Sequence, residues 1–184
     1  MVSDRFGDMI EDRLDLAMRV GEVTDASLVV RRSGTAWFAV VAAPSYIERK
    51  GRPSTPADLA SHTCIVHDVG PGSNVWTFAT SDGSQQFHVS GGLLANDVSA
   101  VHLAALSGYG IALLPLFEVL DDLRSGMLVC VLSEFPAPSV PLSLVYPSRR
   151  HLAPRTRVVF EFILEQVRQV QAMLAAVTDE AHTA

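Results

Sequence analysis

Asn96-Asp97-Val98-Ser99-Ala100-Val101-His102-Leu103-Ala104-Ala105-Leu106-Ser107-Gly108-Tyr109-Gly110-Ile111-Ala112-Leu113-Leu114-Pro115 decides the fold class. Asn96 and Asp97 carry short side-chain oxygens that accept from the open N–H groups of a helix, so either caps residues 98–107. Gly108 ends that helix, because glycine takes the left-handed turn without a Cβ clash. Residues 110–114 are nearly all apolar, as expected of a short strand covered on both faces. Pro115 opens a further helix to residue 123. A helix feeding a buried strand is half of a crossover unit.

The same alternation continues on both sides. Downstream lie strands 127–132 and 142–146 and a long helix, 155–177. Its apolar stripe is Val159, Phe162, Ile163, Val170, Met173, Leu174 and Val177. Upstream lie strands 64–67 and 93–95. Between them, runs 76–80 and 85–90 flank Ser81-Asp82-Gly83-Ser84, a hairpin signal with a loop of four residues. Thr55 caps a short helix with Pro56 at its first position, and Pro44 opens another that stops at Lys50-Gly51. Strands 14–20, 28–32 and 37–43 follow an amphipathic helix, 4–13, capped by Ser3 and built on Phe6, Met9 and Ile10. Strands alternating with short helices predict an α/β chain with mostly parallel pairing. Crossings near 64–72 and 138–146 predict two Rossmann-like lobes with a hinge. The first lobe is residues 1–66 plus about 142–178, the second 67–141, and 179–184 is a disordered tail.

Composition narrows the function. The chain has 184 residues, 48% apolar and 18% charged, so it can build a core. No apolar run approaches the ~18 residues of a membrane span. The N-terminus lacks the basic-then-apolar pattern of a secretory signal. A net charge of −6 makes the chain a poor DNA binder by itself. Cys64 and Cys130 are widely spaced, which fits buried thiols in a reduced, cytoplasmic setting.

Little in the sequence supports catalysis. Ser107 lacks the flanking glycines of a nucleophile elbow. Gly108-Tyr109-Gly110 follows a helix, whereas a dinucleotide fingerprint follows a strand. His62, Cys64, His67 and Asp68 match no zinc spacing, so no metal or cofactor is expected. Asp121 and Asp122 read as a solvated helix face. Arg149, Arg150, His151, Arg155 and Arg157 read as a solvated loop before the last helix, with phosphate binding as the other reading. Asn96, Asp97 and Ser99 at a helix start offer either an anion site or a plain N-cap with Asp97 filling the donors.

These residues together resemble the effector-binding domain of LysR-type transcriptional regulators. The resemblance runs over about 3–168. It rests on Asp15-Leu16-Ala17-Met18-Arg19-Val20-Gly21, Pro44-Ser45-Tyr46, Pro56-Ala57-Asp58-Leu59-Ala60-Ser61-His62 and Trp76-Thr77-Phe78. The 96–115 stretch and Tyr146-Pro147-Ser148-Arg149-Arg150-His151-Leu152 complete it. The resemblance implies a periplasmic-binding-protein-like (type 2) fold, two α/β lobes around a small-molecule cleft, with the first lobe incomplete. It also implies a non-enzymatic sensor that binds a small acidic or aromatic effector. Full-length members reach promoter DNA through a separate helix-turn-helix and assemble as homodimers or homotetramers. Carried over by position, the ligand-binding candidates are Ser3, Arg19, His67, Asn96, Asp97 and Ser99. The match starts late in the first lobe, which predicts a truncated product of low stability. The alternative reading is a solute-binding protein of a transport system.

Overall fold

The computed structural model describes residues 14–147 and 153–181, with side chains of the last helix as far as 172. In chain order the elements are β1 (Ala17–Val20), β2 (Leu28–Ala36), β3 (Phe38–Ala42), α1 (Pro44–Lys50), a 3-10 turn (Pro56–Ser61), β4 (Cys64–His67), β5 (Val75–Thr80), β6 (Gly83–His88), β7 (Gly91–Ala95), α2 (Val98–Leu106), β8 (Ile111–Pro115), α3 (Leu116–Ser125), β9 (Val129–Cys130), β10 (Val140–Pro147) and α4 (Pro154–Ala181). The expected helix 4–13, residues 148–152 of the arginine-rich loop and the tail from 182 lie outside the described residues.

Two compact units result. One is Trp37–Pro138; the other comprises, among the described residues, 14–36 and 139–181. The division therefore falls after Ala36, whereas the sequence placed it after residue 66. Ladder hydrogen bonds are the reason: β3 pairs with β8 and β9, and β4 with β7 and β8, which ties 37–66 to the middle of the chain.

The first unit is built on a five-stranded sheet of order β7-β4-β8-β3-β9. Only β4 runs parallel to its neighbours, β7 and β8. The other pairings among the described residues are antiparallel, so the expectation of mostly parallel pairing is corrected. Chain β7–α2–β8 is the crossover that supplies the parallel core: it steps over β4 and returns on its far side. Side chains alternate across the sheet. Val40, Ala42, Cys64, Val66 and Ile111 pack with Tyr46, Leu59, Trp76 and Phe78 on one face. Ala39, Val41, Ile65, Ala112 and Leu114 pack with Val101, Ala105 and Val119 of α2 and α3 on the other. Between α2 and β8, a Cβ on Gly110 would run into the Thr63 carbonyl oxygen, so the close approach of β8 to that loop requires glycine. The β5–β6 hairpin turns on Ser81-Asp82 alone, because Thr80 already pairs with Gly83, which takes φ +101°.

The second unit is an antiparallel sheet of order β1-β10-β2. Val20, Leu142 and Gly34 share one row, and Met18 and Leu144 the next on the same face. Helix α4 covers this face. Tyr146 meets Phe160 edge-on, ring centres 6.2 Å apart. The Gln171 amide brackets Thr35, accepting from its N–H at 3.1 Å and donating to its carbonyl at 2.7 Å. Among the described side chains of α4 the buried ones are Thr156, Phe160 and Val167. Val159 and Phe162 of the expected stripe are 50% and 62% exposed. The sheet selects the face one residue away, because Tyr146 and Gly34 fix where Phe160 and Gln171 must sit.

Candidate functional site

In the first unit the parallel strands β4 and β7 end together. His67, the last residue of β4, is in register with Ala95, the last of β7, and the Asp68 N–H donates to the Ala95 carbonyl at 2.8 Å. The chain leaving β7 passes at once through Asn96 and Asp97 into α2. His67, Asn96, Asp97 and Ser99 therefore gather at the carboxyl end of two parallel strands and the start of a helix, the usual place for a ligand in an α/β sheet. His67 and Asp97 are half-buried; Asn96 and Ser99 are exposed.

Asp97 settles the choice left open by the sequence. Its extended backbone (φ −131°, ψ 123°) and Oδ1, which accepts from the Ala100 N–H at 2.9 Å, make it the N-cap. A carboxylate in the cap position competes with an incoming anion. What the corner offers a ligand is thus a mixed set: the His67 imidazole, the Asn96 amide and the Ser99 hydroxyl. Beside it, the 68–73 loop is held by Ser73, whose Oγ accepts from the Val69 and Gly70 N–H groups and donates to the Gly70 carbonyl.

Arg19 lies in the second unit, on β1, in register with the buried Ser143 of β10. Ser3 lies outside the described residues. His62 and Cys64 are structural. The Tyr46 hydroxyl is 3.1 Å from His62 Nδ1 and accepts from the Thr63 N–H. Cys64 is fully buried, and burial pushes its thiol up to about 12. Burial also raises the Cys130 thiol, with Arg52 pulling the other way. Neither is a ready thiolate nucleophile.

One cluster was not read from sequence. His102 of α2 places Nε2 2.7 Å from Asp122 Oδ2 and Nδ1 3.7 Å from Glu118 Oε1, both on α3. Asp122 is therefore a half-buried partner, where the sequence implied a solvated face. The available signal was Glu118 and Asp122 at i and i+4, a like-charge pair that repels unless a cation or donor sits opposite. Because the two carboxylates approach opposite ring nitrogens, the trio clamps helices together and does not converge on one point.

Comparison with known proteins places the chain. Residues 1–168 match the LysR substrate binding domain. An HTH-type transcriptional regulator of Haemophilus influenzae is 33% identical over 150 residues, 82% of this chain and 52% of that protein. The regulator CrgA of Neisseria meningitidis serogroup C is 32% identical over 167 residues, 90% of this chain and 55% of its own length. The chain thus spans about half the length of the curated relatives it matches. The regulatory domain of Neisseria CrgA superposes with TM-score 0.78 at 30% identity, covering 86% of this chain and 78% of that one. Full-length AphB of Vibrio cholerae gives 0.75 at 25% identity, over 90% of this chain and 56% of AphB. The fold is accordingly the two-lobed, type 2 periplasmic-binding-protein-like one, and the transport reading is not favoured. The chain belongs to the LysR substrate-binding domain family of transcriptional regulators.

Proposed function

We propose that this chain senses a small acidic or aromatic metabolite on behalf of a cytoplasmic, oligomeric regulator whose DNA contacts are made by a separate helix-turn-helix. The sensing step is binding without turnover. The observation that carries this reading is the shared end of β4 and β7, where His67 and Asn96 adjoin the start of α2. His67 and Asn96 supply imidazole and amide hydrogen-bonding groups, and Ser99 a hydroxyl. In the second unit, Arg19 is by itself a candidate for a charge-assisted contact to a carboxylate. Among the described residues no helix is long and apolar enough to cross a membrane, which accords with a sensor of dissolved metabolites.

Titration calorimetry of the chain against a panel of aliphatic and aromatic carboxylic acids tests the proposal. A ligand should emerge whose affinity falls by about tenfold or more in His67→Ala, with Arg19→Ala testing the second unit's candidate in the same way. Full affinity in both variants, with their melting unchanged, removes these residues from the site. Consumption of the ligand during the titration removes the non-catalytic reading.

A further inference from the structure

The edge strand β2 and helix α4 flank a half-open surface pocket of about 330 Å3 lined by Val30, Arg31, Arg32, Ser33, Leu164 and Arg168. We propose that it is an oxyanion-binding site, made for a small molecule bearing a phosphate or carboxylate group. It belongs to the unit that does not contain His67 and Asn96.

Three of the fourteen lysines and arginines of a chain with net charge −6 line this one cavity. Among the described residues neither the Arg31 nor the Arg32 side chain has a hydrogen-bond or ion-pair partner. Arg168 has Glu165, 3.5 Å away on the same helix and well exposed, and Glu165 does not line the cavity. Among the described residues, then, the Arg31 and Arg32 side chains have no acidic partner, and Arg168 has Glu165 alone. Neighbouring like charges repel, and a bound anion relieves that repulsion while accepting charge-assisted hydrogen bonds.

The directions of the side chains fit. Arg31 is in register with Leu144, whose row faces α4, so Arg31 rises from the strand on the side from which Arg168 descends. Arg32, the next residue along the strand, also lines the cavity. The rim itself adds donors. Because β2 is the last strand of its sheet, the peptide groups on its outer side have no ladder partner among the described residues, and Gln171 occupies them only at Thr35. Guanidinium forks and open peptide N–H groups are the two donor types that recur around bound oxyanions. Val30 and Leu164 add apolar lining.

The test titrates the 184-residue chain with inorganic phosphate and, in parallel, with acetate and benzoate, at constant ionic strength set with sodium chloride. Saturable binding by at least one of the three is expected, weakened about tenfold or more in Arg31→Gln and in Arg168→Gln, and unaltered in Arg124→Gln. Preference among the three reports whether a phosphate or a carboxylate head is the better fit. No saturable binding by any of them overturns the proposal, as does equal binding by wild type and both glutamine variants. If a variant melts lower than wild type, arginine modification by phenylglyoxal gives the answer on the unaltered chain. Phosphate, or whichever ion binds, should protect Arg31 and Arg168 and leave Arg124 reactive. Uniform protection, or none, overturns the proposal.

Discussion

The two units bury their apolar residues to very different extents. In the first, strands β3, β4 and β8 are packed on both faces, and Val41, Ala42, Cys64, Ile65, Ile111, Ala112 and Leu114 are wholly inaccessible. In the second, the central strand β10 is just as buried at Leu144 and Val145, yet its flanks are not. Met18 of β1 is 48% exposed and Phe162 of α4 62%. A sheet with helices or a hairpin on each face supports its own core, whereas among the described residues of the second unit one helix lies against three strands, and Met18 and Phe162 keep apolar surface in water. Since burial scales with apolar area removed from water, the first unit is expected to carry most of the stability.

The largest test of that contrast pairs two fully buried residues. Ile65→Ala in the first unit should cost about 3–5 kcal/mol and Leu144→Ala in the second nearer 2 kcal/mol, because a thinly packed site relaxes around the cavity. Urea melts that return equal costs would break the comparison. Gly110→Ala comes next, at about 1–3 kcal/mol, since the added Cβ meets a carbonyl oxygen that is fixed in the backbone. Far-UV circular dichroism during heating should show the loss, and an unchanged midpoint would mean that the Thr63 loop gives way freely. Gln171→Ala removes two hydrogen bonds at Thr35 and should cost about 1–2 kcal/mol. Hydrogen exchange should then speed up at Thr35 and leave β4 unaltered. Faster exchange in β4 as well would mean that the units unfold together.

The smallest effect is acid-dependent. Hydrogen bonds from the Thr55 and then the Ser54 N–H hold the Asp58 carboxyl below the usual carboxylate range. A lowered folded-state value means that the ionised form favours the fold. The contribution is complete above the ordinary carboxylate range and disappears as pH falls through the lowered value. Asp58→Asn should flatten the acid limb of a stability–pH curve, and a superimposable limb would remove the capping box from the account.

Local signals carried much of the architecture. Strand β4 occupies the residues expected of it, Cys64–His67. The Asp97 cap and the Gly108 stop enclose α2 as read from their side chains, and Thr55-Pro56 opens the 3-10 turn. Long-range pairing was not legible. Strand β2 runs on to Ala36 and β3 starts at Phe38, so the passage between units occurs at Trp37, inside one apolar stretch without a proline or glycine to mark it. The Gly-rich 68–73 loop looked like a crossing and is instead a hydrogen-bonded turn within one unit. The same distinction governs the site. His67, Asn96, Asp97 and Ser99 assemble because a strand end meets a helix start, which sequence reveals. The His102–Asp122 contact needed two helices to be placed side by side, which it does not.

The Gln171 amide has a consequence for solubility. By answering both the N–H and the carbonyl of Thr35, it imitates the peptide group of an additional strand and plugs the open rim of the second sheet at that residue. A foreign extended chain that tries to zip onto β2 meets a position already taken, and just upstream the charged pair Arg31 and Arg32, both hostile to fibril-like stacking. Exchanging this one glutamine for an aliphatic residue would thus do more than loosen a helix: it would unlock a docking rail for self-association.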